Sequence, residues 1–407
     1  MTALLLAAAG APLLAFLGLG AVMWSGRVLP ESTVSGVVIG ASVLSASAGT
    51  ALAVLCAVRG PATVALGSWF PGFPLLLTAD RLSIPIAILG ALLGCLIGAF
   101  SQRYLHRDPG YRRFYLLLAL FVAAVELVVL AGTLDLLVVG WELAGLASAL
   151  LIAYFHHRPG PVAHGLRAFI TYRVSDIGLV AAVAVHHSGG SPALVGLLLL
   201  WAAMGKAAQL PFSGWLPRAM EGPTPSSAIC YGAVSVSLGP YLLLRNGVTG
   251  PAVVAVGVVT AVYATLAGRV QTDIKSTLAY ASMTQIALVF VEVGLGWDTV
   301  AVVHLITHAV LRSGQILRSP SLLHDHHHLE QALGGPLPRT GRHFERVVPE
   351  PLRAWLYRFA LERAYVDAFL LDRVIGPLTR VGQRAAAADD HLARRMSATR
   401  PPVHAAN

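Results

Sequence analysis

The sequence predicts an all-α, polytopic membrane protein of about eleven transmembrane helices. Three observations predict it. Hydrophobic residues make up 56% of the 407-residue chain and charged residues only 12%. The mean hydropathy is +0.69. The apolar residues also fall into runs, each near the ~20 residues that a bilayer core requires.

In order, the runs lie at residues 3–24, 34–58, 81–100, 114–131, 134–155, 166–186, 192–217, 226–244, 250–268, 276–296 and 299–317. The first lacks a basic n-region and runs too long for a signal peptide, so it reads as a retained helix. Placing the N-terminus outside puts Arg27, then Arg103, Arg107, Arg112 and Arg113, then Arg158, Arg218, Arg269, Lys275 and Arg318 on the cytoplasmic side. Mainly Arg59 and Arg245 remain outside, so the positive-inside rule predicts N outside and C inside, in the cell (inner) membrane.

Past Arg318 the composition turns basic, Pro-bearing and His-rich. Within PEPLRAWLYRFALERAYVDAFLLDRVIGPLTRVG, residues Leu352, Trp355, Leu356, Phe359, Ala360, Val366, Phe369, Leu370 and Val374 recur at helical spacing among arginines. This suits an amphipathic helix lying in the membrane interface or docking on a partner, or else one more, poorly hydrophobic span. From about Arg384 onward a short polar helix and a frayed end are expected.

Composition also excludes classes of function. Cys56, Cys95 and Cys230 stand singly, with no CxxC spacing, so no iron-sulfur cluster, Cys zinc site or disulfide framework is written here. No GxGxxG follows a strand and no GxxxxGK[ST] appears, which argues against binding of NADH or ATP by this chain. No cofactor, metal site or catalytic residue is therefore expected, and redox or hydrolytic chemistry would belong to partners. No nucleic-acid partner is expected.

Two ionisable groups stand inside apolar runs: Glu142 in GWELAGLASALLIAYF and Lys206 in WAAMGKAAQLPFSGWLPRAMEGPTP. A charge at that depth is costly, so the two read as a functional pair able to handle a proton, or else as a static buried ion pair. Lys206 and Lys275 are the sole lysines, and every other counted basic residue is arginine. Arginine keeps its proton, whereas a desolvated lysine can release one. Pro211, five residues after Lys206, supplies no N–H to the carbonyl of Ala207, so the helix is expected to break beside the lysine and line a hydrated cavity.

Arg173 and Asp176, three apart, can share a helix face, either as a second buried pair tuning Glu142 or as a pair at the rim. Glu126 and Glu292 are further candidates in apolar runs. His304, His308 and Arg312 recur every four residues and line one helix face, as a proton relay or as a polar seam between helices. HDHHHLE, residues 324–330, reads as a solvated His-rich loop with zinc as the less favoured alternative.

Together these stretches resemble the antiporter-like, proton-translocating subunits of respiratory complex I (the L or chain 5 type) and of Mrp-type cation/proton antiporters. The match is carried by GWELAGLASALLIAYF, RAFITYRVSDIGL, AAMGKAAQLPFSGWLPRAMEGPTPSSA, VQTDIKSTLAYASMTQIALVF and HLITHAVLR, in the family's order over roughly residues 80–318. The resemblance implies inverted repeats of five-helix units with broken helices, each unit giving a half-channel onto a central polar axis. It divides the chain into N-terminal helices (1–110), a first five-helix unit (111–246), a second unit truncated after three helices (247–318) and a basic cytoplasmic tail (319–407). It also carries over roles: Glu142 and Lys206 as the coupled pair, Arg173 and Asp176 beside them, and Lys275, His304 and His308 as axis residues. Positive-inside anchoring explains Lys275 equally well. Where the family usually has a His, this chain has Tyr231, and where it usually has a Lys after the second His, this chain has Arg312.

The short form ending in LRSPSLLHD with a basic tail resembles the DabB-type subunits of inorganic-carbon (CO2/bicarbonate) accumulation complexes. That resemblance implies a large soluble, DabA-like zinc protein as the cytoplasmic partner. The alternative is a proton-pumping subunit of an NADH-quinone oxidoreductase, with flavin and iron-sulfur centres in its partners. A third expectation is a structural anchor whose transport path has decayed.

Overall fold

Two helices have no lipid-facing side, and the others pack around them. The first is α4 (Tyr111–Val129), in which only Arg112, Arg113 and Leu116 escape burial. The second, α8 (Thr224–Arg245), is buried over its whole spanning window. Both are largely apolar, and the polar groups they carry, Glu126 on α4 and Thr224 and the serines on α8, are buried with them. In the computed structural model, residues 1–69, 72–333 and 348–398 are described.

The remaining helices are α1 (Thr2–Trp24), α2 (Glu31–Arg59), α3 (Ser83–Tyr104), α5 (Leu134–Ile152), α6 (Pro159–His187), α7 (Pro192–Lys206), α9 (Pro251–Arg269), α10 (Ile274–Gly294) and α11 (Asp298–Leu333). Each apolar run in the sequence thus holds a helix, although the run at 192–217 is α-helical only as far as Lys206. Among the described residues nine helices are long and apolar enough to cross a membrane, which makes this a multi-pass membrane protein. The other two runs form α4, which carries Arg112, Arg113 and Glu126, and α7, whose helix is only 15 residues long. Outer helices keep a lipid face: Leu14 and Leu17 on α1, Val43 and Leu44 on α2, and Ile177 and Val180 on α6 are exposed.

Without a hydrophobic drive between helices in lipid, small residues set how closely they approach. Gly140 brings α5 so near α4 that a Cβ there would lie 2.7 Å from the Val128 amide nitrogen and 2.8 Å from the Ala124 carbonyl oxygen. Gly239 does the same for α8 against α7, with the Ala203 carbonyl oxygen 2.6 Å from the added atom.

Between α2 and α3 lies a feature the all-helical expectation did not contain, a two-stranded antiparallel hairpin of β1 (Ala62–Ser68) and β2 (Pro74–Ala79). It is tied to the loop after α4: Thr78 N donates to the Leu130 carbonyl at 2.7 Å and Gly132 N to the Leu76 carbonyl at 2.7 Å. Asp80 then anchors its exit. The carboxylate accepts from the backbone N–H groups of Leu82 (3.1 Å) and Ser83 (2.8 Å), the Asp80 amide donates to Ser83 Oγ (2.9 Å), and Arg245 at the end of α8 pairs with the same carboxylate.

At the other end of the chain, the single amphipathic helix expected from residue 349 onward is divided. α12 (Glu350–Leu361) packs on α9 and is followed by a left-handed turn at Arg363, Ala364 and Tyr365, with φ of 55°, 56° and 57°. A short α13 (Val366–Phe369), a π turn (Leu370–Ile375) and α14 (Gly376–Ala398) follow. The division has a charge reason: the turn delivers Asp367 to Arg167 of α6 and Arg218 of the loop after α7. HDHHHLE continues α11 as helix rather than forming a loop; its side chains, and residues 399–407 of the expected frayed end, lie outside what is described.

Asp80 gives the fold a pH-dependent clasp. Burial raises its proton affinity, but the Ser83 amide and the Arg245 guanidinium outweigh burial and hold the carboxyl below its ordinary range. A depressed folded value means the stabilisation is full above the unfolded value of about 3.9 and is lost as pH falls through the folded one. Asp80→Asn is expected to lower unfolding stability in detergent by about 1–2 kcal/mol at pH 7, since it weakens an N-terminal cap and an ion pair together. The gap between variant and wild type should stay constant down to about pH 5 and close only below about pH 3.9. Equal stability at pH 7 would remove Asp80 as a clasp.

Candidate functional site: a buried lysine at a broken helix

Lys206 is the last residue of α7 and is fully buried. The helix stops one residue later, four residues ahead of Pro211, because Ala208 takes a positive φ of 53° and the chain turns aside. The polar groups freed by the break find partners, as they must at membrane depth. The Gly205 carbonyl accepts from Trp215 Nε1 at 3.0 Å, the Ala207 carbonyl that Pro211 cannot serve accepts from Gln209 Nε2 at 2.8 Å, and the Leu210 amide donates to Thr260 Oγ1 at 3.1 Å. Two 3-10 turns, Ser213–Trp215 and Pro217–Glu221, complete the loop.

The ammonium is held by a carbonyl and by aromatic faces. Lys206 Nζ donates to the Trp141 carbonyl oxygen at 3.0 Å and lies 4.7 Å from the Trp141 ring centroid and 4.8 Å from that of Tyr172. Both ring distances fall within cation–π range. Gly145, one turn along α5 from Trp141, leaves the space for it: a Cβ there would sit 3.2 Å from Nζ.

The carboxylates lie one step away. The sequence reading paired Glu142 directly with Lys206; instead Glu142 forms an ion pair with Arg173, and Arg173 Nη2 donates to Asp176 Oδ2 at 2.8 Å. Trp141 Nε1 donates to the other Asp176 oxygen at 2.6 Å. Among the described residues Lys206 has no ion-pair partner. The reason is local geometry: α5 presents the backbone and ring of Trp141 to the lysine, while the next side chain, Glu142, turns to the guanidinium three residues before Asp176 on α6. The result is a row Glu142–Arg173–Asp176–Trp141–Lys206.

Beyond the lysine, aromatic rings continue toward α8. Tyr172 packs edge-on against Trp215 with centroids 4.9 Å apart, and Trp215 against Tyr231 at 5.8 Å. Tyr231 lies in a π-helical stretch, Ser227–Val234, and its hydroxyl donates to the Ser148 carbonyl at 2.6 Å. On α11, His308 is buried with Nε2 unpartnered, and Arg312 donates to Gln315 at 2.8 Å. His304 sits between Glu292 (2.8 Å) and Gln285 (2.9 Å) of α10. Lys275 is not drawn into this interior. It stands in the first turn of α10, beside the Asp273 cap, at the end where Arg269 closes α9. Glu126 is fully buried on α4 with neither carboxyl oxygen partnered.

Trp141, Tyr172, Gly145 and Trp215 were not singled out from the sequence. Trp141 immediately precedes Glu142 and Tyr172 precedes Arg173, so each aromatic is marked only by standing next to a charged neighbour. A cavity of about 1030 Å³ opens at the far end of α7, lined by Asp135, His187, Pro192, Leu199 and Asn246; Lys206 is not part of it. Among the described residues no cluster of three or more His, Cys, Asp or Glu is arranged to hold a metal.

With this geometry in view, the relatives are informative. Residues 131–333 match the family model of the NADH:quinone oxidoreductase/Mrp antiporter transmembrane region, and residues 72–115 match that of the complex I chain 5 N-terminus. NADH-quinone oxidoreductase subunit L of Mycobacterium tuberculosis is 37% identical over 278 residues, which is 62% of this chain and 44% of that protein. The Escherichia coli subunit L is 36% identical over 294 residues, 65% of this chain and 48% of that protein. The chain thus spans less than half the length of these relatives. Among solved structures, a chain of the Mrp complex from Dietzia sp. superposes with a TM-score of 0.65 at 27% identity, covering 77% of this chain and 36% of the other. A chain of the archaeal membrane-bound sulfane sulfur reductase shares the fold, with a TM-score of 0.67 at 19% identity over 77% of this chain and 69% of the other. The two family models between them take in the α3–α4 region, the Lys206 row and α11, and the chain belongs to the antiporter-like family of complex I chain 5 and Mrp membrane subunits.

Proposed function

We propose that this chain is a proton-translocating, antiporter-like subunit of a complex I-type membrane assembly, with Lys206 as its proton carrier. The observation that carries the reading is a fully buried lysine at the end of a broken helix, held by a carbonyl and two rings rather than by a carboxylate. A lysine so placed can exchange its proton where an arginine would keep it. Glu142 and Asp176 share Arg173, so a proton arriving on either carboxylate changes the field at Lys206. His308, buried with a free ring nitrogen, is the onward candidate on α11. Tyr231 and Arg312 flank that route as hydrogen-bonding and fixed-charge groups. The ends of α3 and α9 and the starts of α4 and α6 carry Arg103, Arg269, Arg112, Arg113 and Arg158 on one face, which we take as cytoplasmic in the inner membrane.

The relatives described above are quinone-oxidoreductase and Mrp proteins, which favours a complex I-type assembly over the inorganic-carbon complex suggested by LRSPSLLHD and the basic tail. Gentle extraction from the native membrane distinguishes them: co-purifying flavin and iron-sulfur subunits are expected, and a single large soluble zinc protein in their place would overturn the assignment.

In reconstituted vesicles, Lys206→Ala and Lys206→Arg are both expected to lower proton flux about 10²-fold while the chain remains in the membrane. Full flux in Lys206→Ala would end the relay. Gly145→Val, whose Cβ alone would lie 3.2 Å from Nζ and whose methyl groups crowd it further, is expected to lower flux between about ten- and a hundredfold by displacing the ammonium from the Trp141 carbonyl. Wild-type flux in that variant would show that the position of Nζ is not critical.

A further inference from the structure

Asp367, one of nine acidic residues that stand beside twelve arginines in residues 319–407, is enclosed by arginines from three elements. Its Oδ1 accepts from Arg167 Nη2 of α6 at 2.5 Å, its Oδ2 from Arg218 Nη2 at 2.9 Å, and Arg363 of its own segment lies 3.7 Å away. The left-handed turn at Arg363–Tyr365 places it there. Three consecutive non-glycine residues in that conformation cost about 1–2 kcal/mol each, so the contact they deliver must repay them.

From Asp367 a continuous chain of contacts runs to Lys206. Arg218 uses its other nitrogen to donate to the Gly214 carbonyl at 2.7 Å. Gly214 is in the same 3-10 turn as Trp215, whose indole donates to the Gly205 carbonyl, next to Lys206. Gly214 also permits the approach itself: a Cβ there would lie 2.5 Å from Asp367 Oδ1 and 3.0 Å from Arg167 Nη2.

We propose that Asp367 is a positioning residue that pins the C-terminal segment to the loop after α7, so that the tail holds the broken end of the helix at Lys206 through Arg218, Gly214 and Trp215. Its consequence for transport rests on the Lys206 reading above; the pinning itself does not. Next to the pin, Trp355, Tyr357, Leu361 and Phe369 are exposed.

Contiguity alone does not establish coupling, so the test measures the loop directly. Hydrogen exchange is followed on the full chain in lipid nanodiscs for wild type, Asp367→Asn and Asp367→Glu, with exposed Asp372→Asn as the control. Asp367→Asn is expected to speed exchange about tenfold or more in peptides covering 207–222 as well as 363–369, the scale set by losing a charge-assisted hydrogen bond. Asp367→Glu should restore protection, and Asp372→Asn should leave both regions unchanged. Faster exchange confined to the tail, or none at all, overturns the proposal. If Asp367→Asn loosens the whole chain, Gly214→Ala reads the same contact from the loop side, with the same two regions as expectation and an unchanged 207–222 as refutation. Because exchange is read without transport, failure of the Lys206 relay would leave these outcomes intact.

Discussion

Much of the structure follows from one constraint: a polar group inside a bilayer must find its partner within the protein. Breaking α7 at Lys206 releases carbonyls and amides at a depth where water is not freely at hand. Trp215 and Gln209 of the loop and Thr260 of α9 take up that debt. The break therefore ties the loop, α9 and the lysine into one unit. The same requirement explains why Lys206 lies against a carbonyl and two rings. These satisfy an ammonium without a permanent counter-charge.

The helices were legible because apolar runs in a membrane protein leave little choice of structure, and the break in α7 was legible from Pro211. What the sequence could not show was which neighbour each charge would choose. Glu142 and Lys206 stand out as costly charges, but Arg173 lies on the neighbouring α6 within reach of Glu142, and only packing shows that it intervenes. Trp141 escaped notice because its role is divided between backbone oxygen, ring and indole N–H, and residue type records none of the three separately. The hairpin after α2 was missed because two short strands with little burial give a weak alternation beside a long apolar helix. The tail read as a continuous amphipathic helix because Arg363, Ala364 and Tyr365 have no intrinsic taste for a left-handed turn; a contact 200 residues away in sequence imposes it.

Burial also divides the charged residues by kind. Arg112 and Arg113 at the start of α4 and Arg245 at the end of α8 stay at helix ends, where a fixed charge is cheap to solvate. Lys206 is placed deep, and the carboxylate nearest to full burial beside it, Asp176, keeps two donors. Arg173, the fixed charge within the row, is offset there by Glu142 and Asp176, whereas Lys206 has no ion-pair partner among the described residues.

The π-helical stretch in α8 has a consequence for register. A hydrogen bond closing on the fifth residue takes one more residue per turn than the α pattern. If Ser227–Val234 were α-helical with every residue kept, everything after it would rotate by about 100° about the helix axis. Gly239 would then no longer face the Ala203 carbonyl, and Tyr241 would lose the Val129 carbonyl that its hydroxyl now reaches at 2.5 Å. The segment therefore works as a phase adjuster. It lets Tyr231 face the ring of Trp215 while the second half of the same helix keeps its fit against α4 and α7, two alignments that an unbroken α-helix of this sequence would not satisfy together.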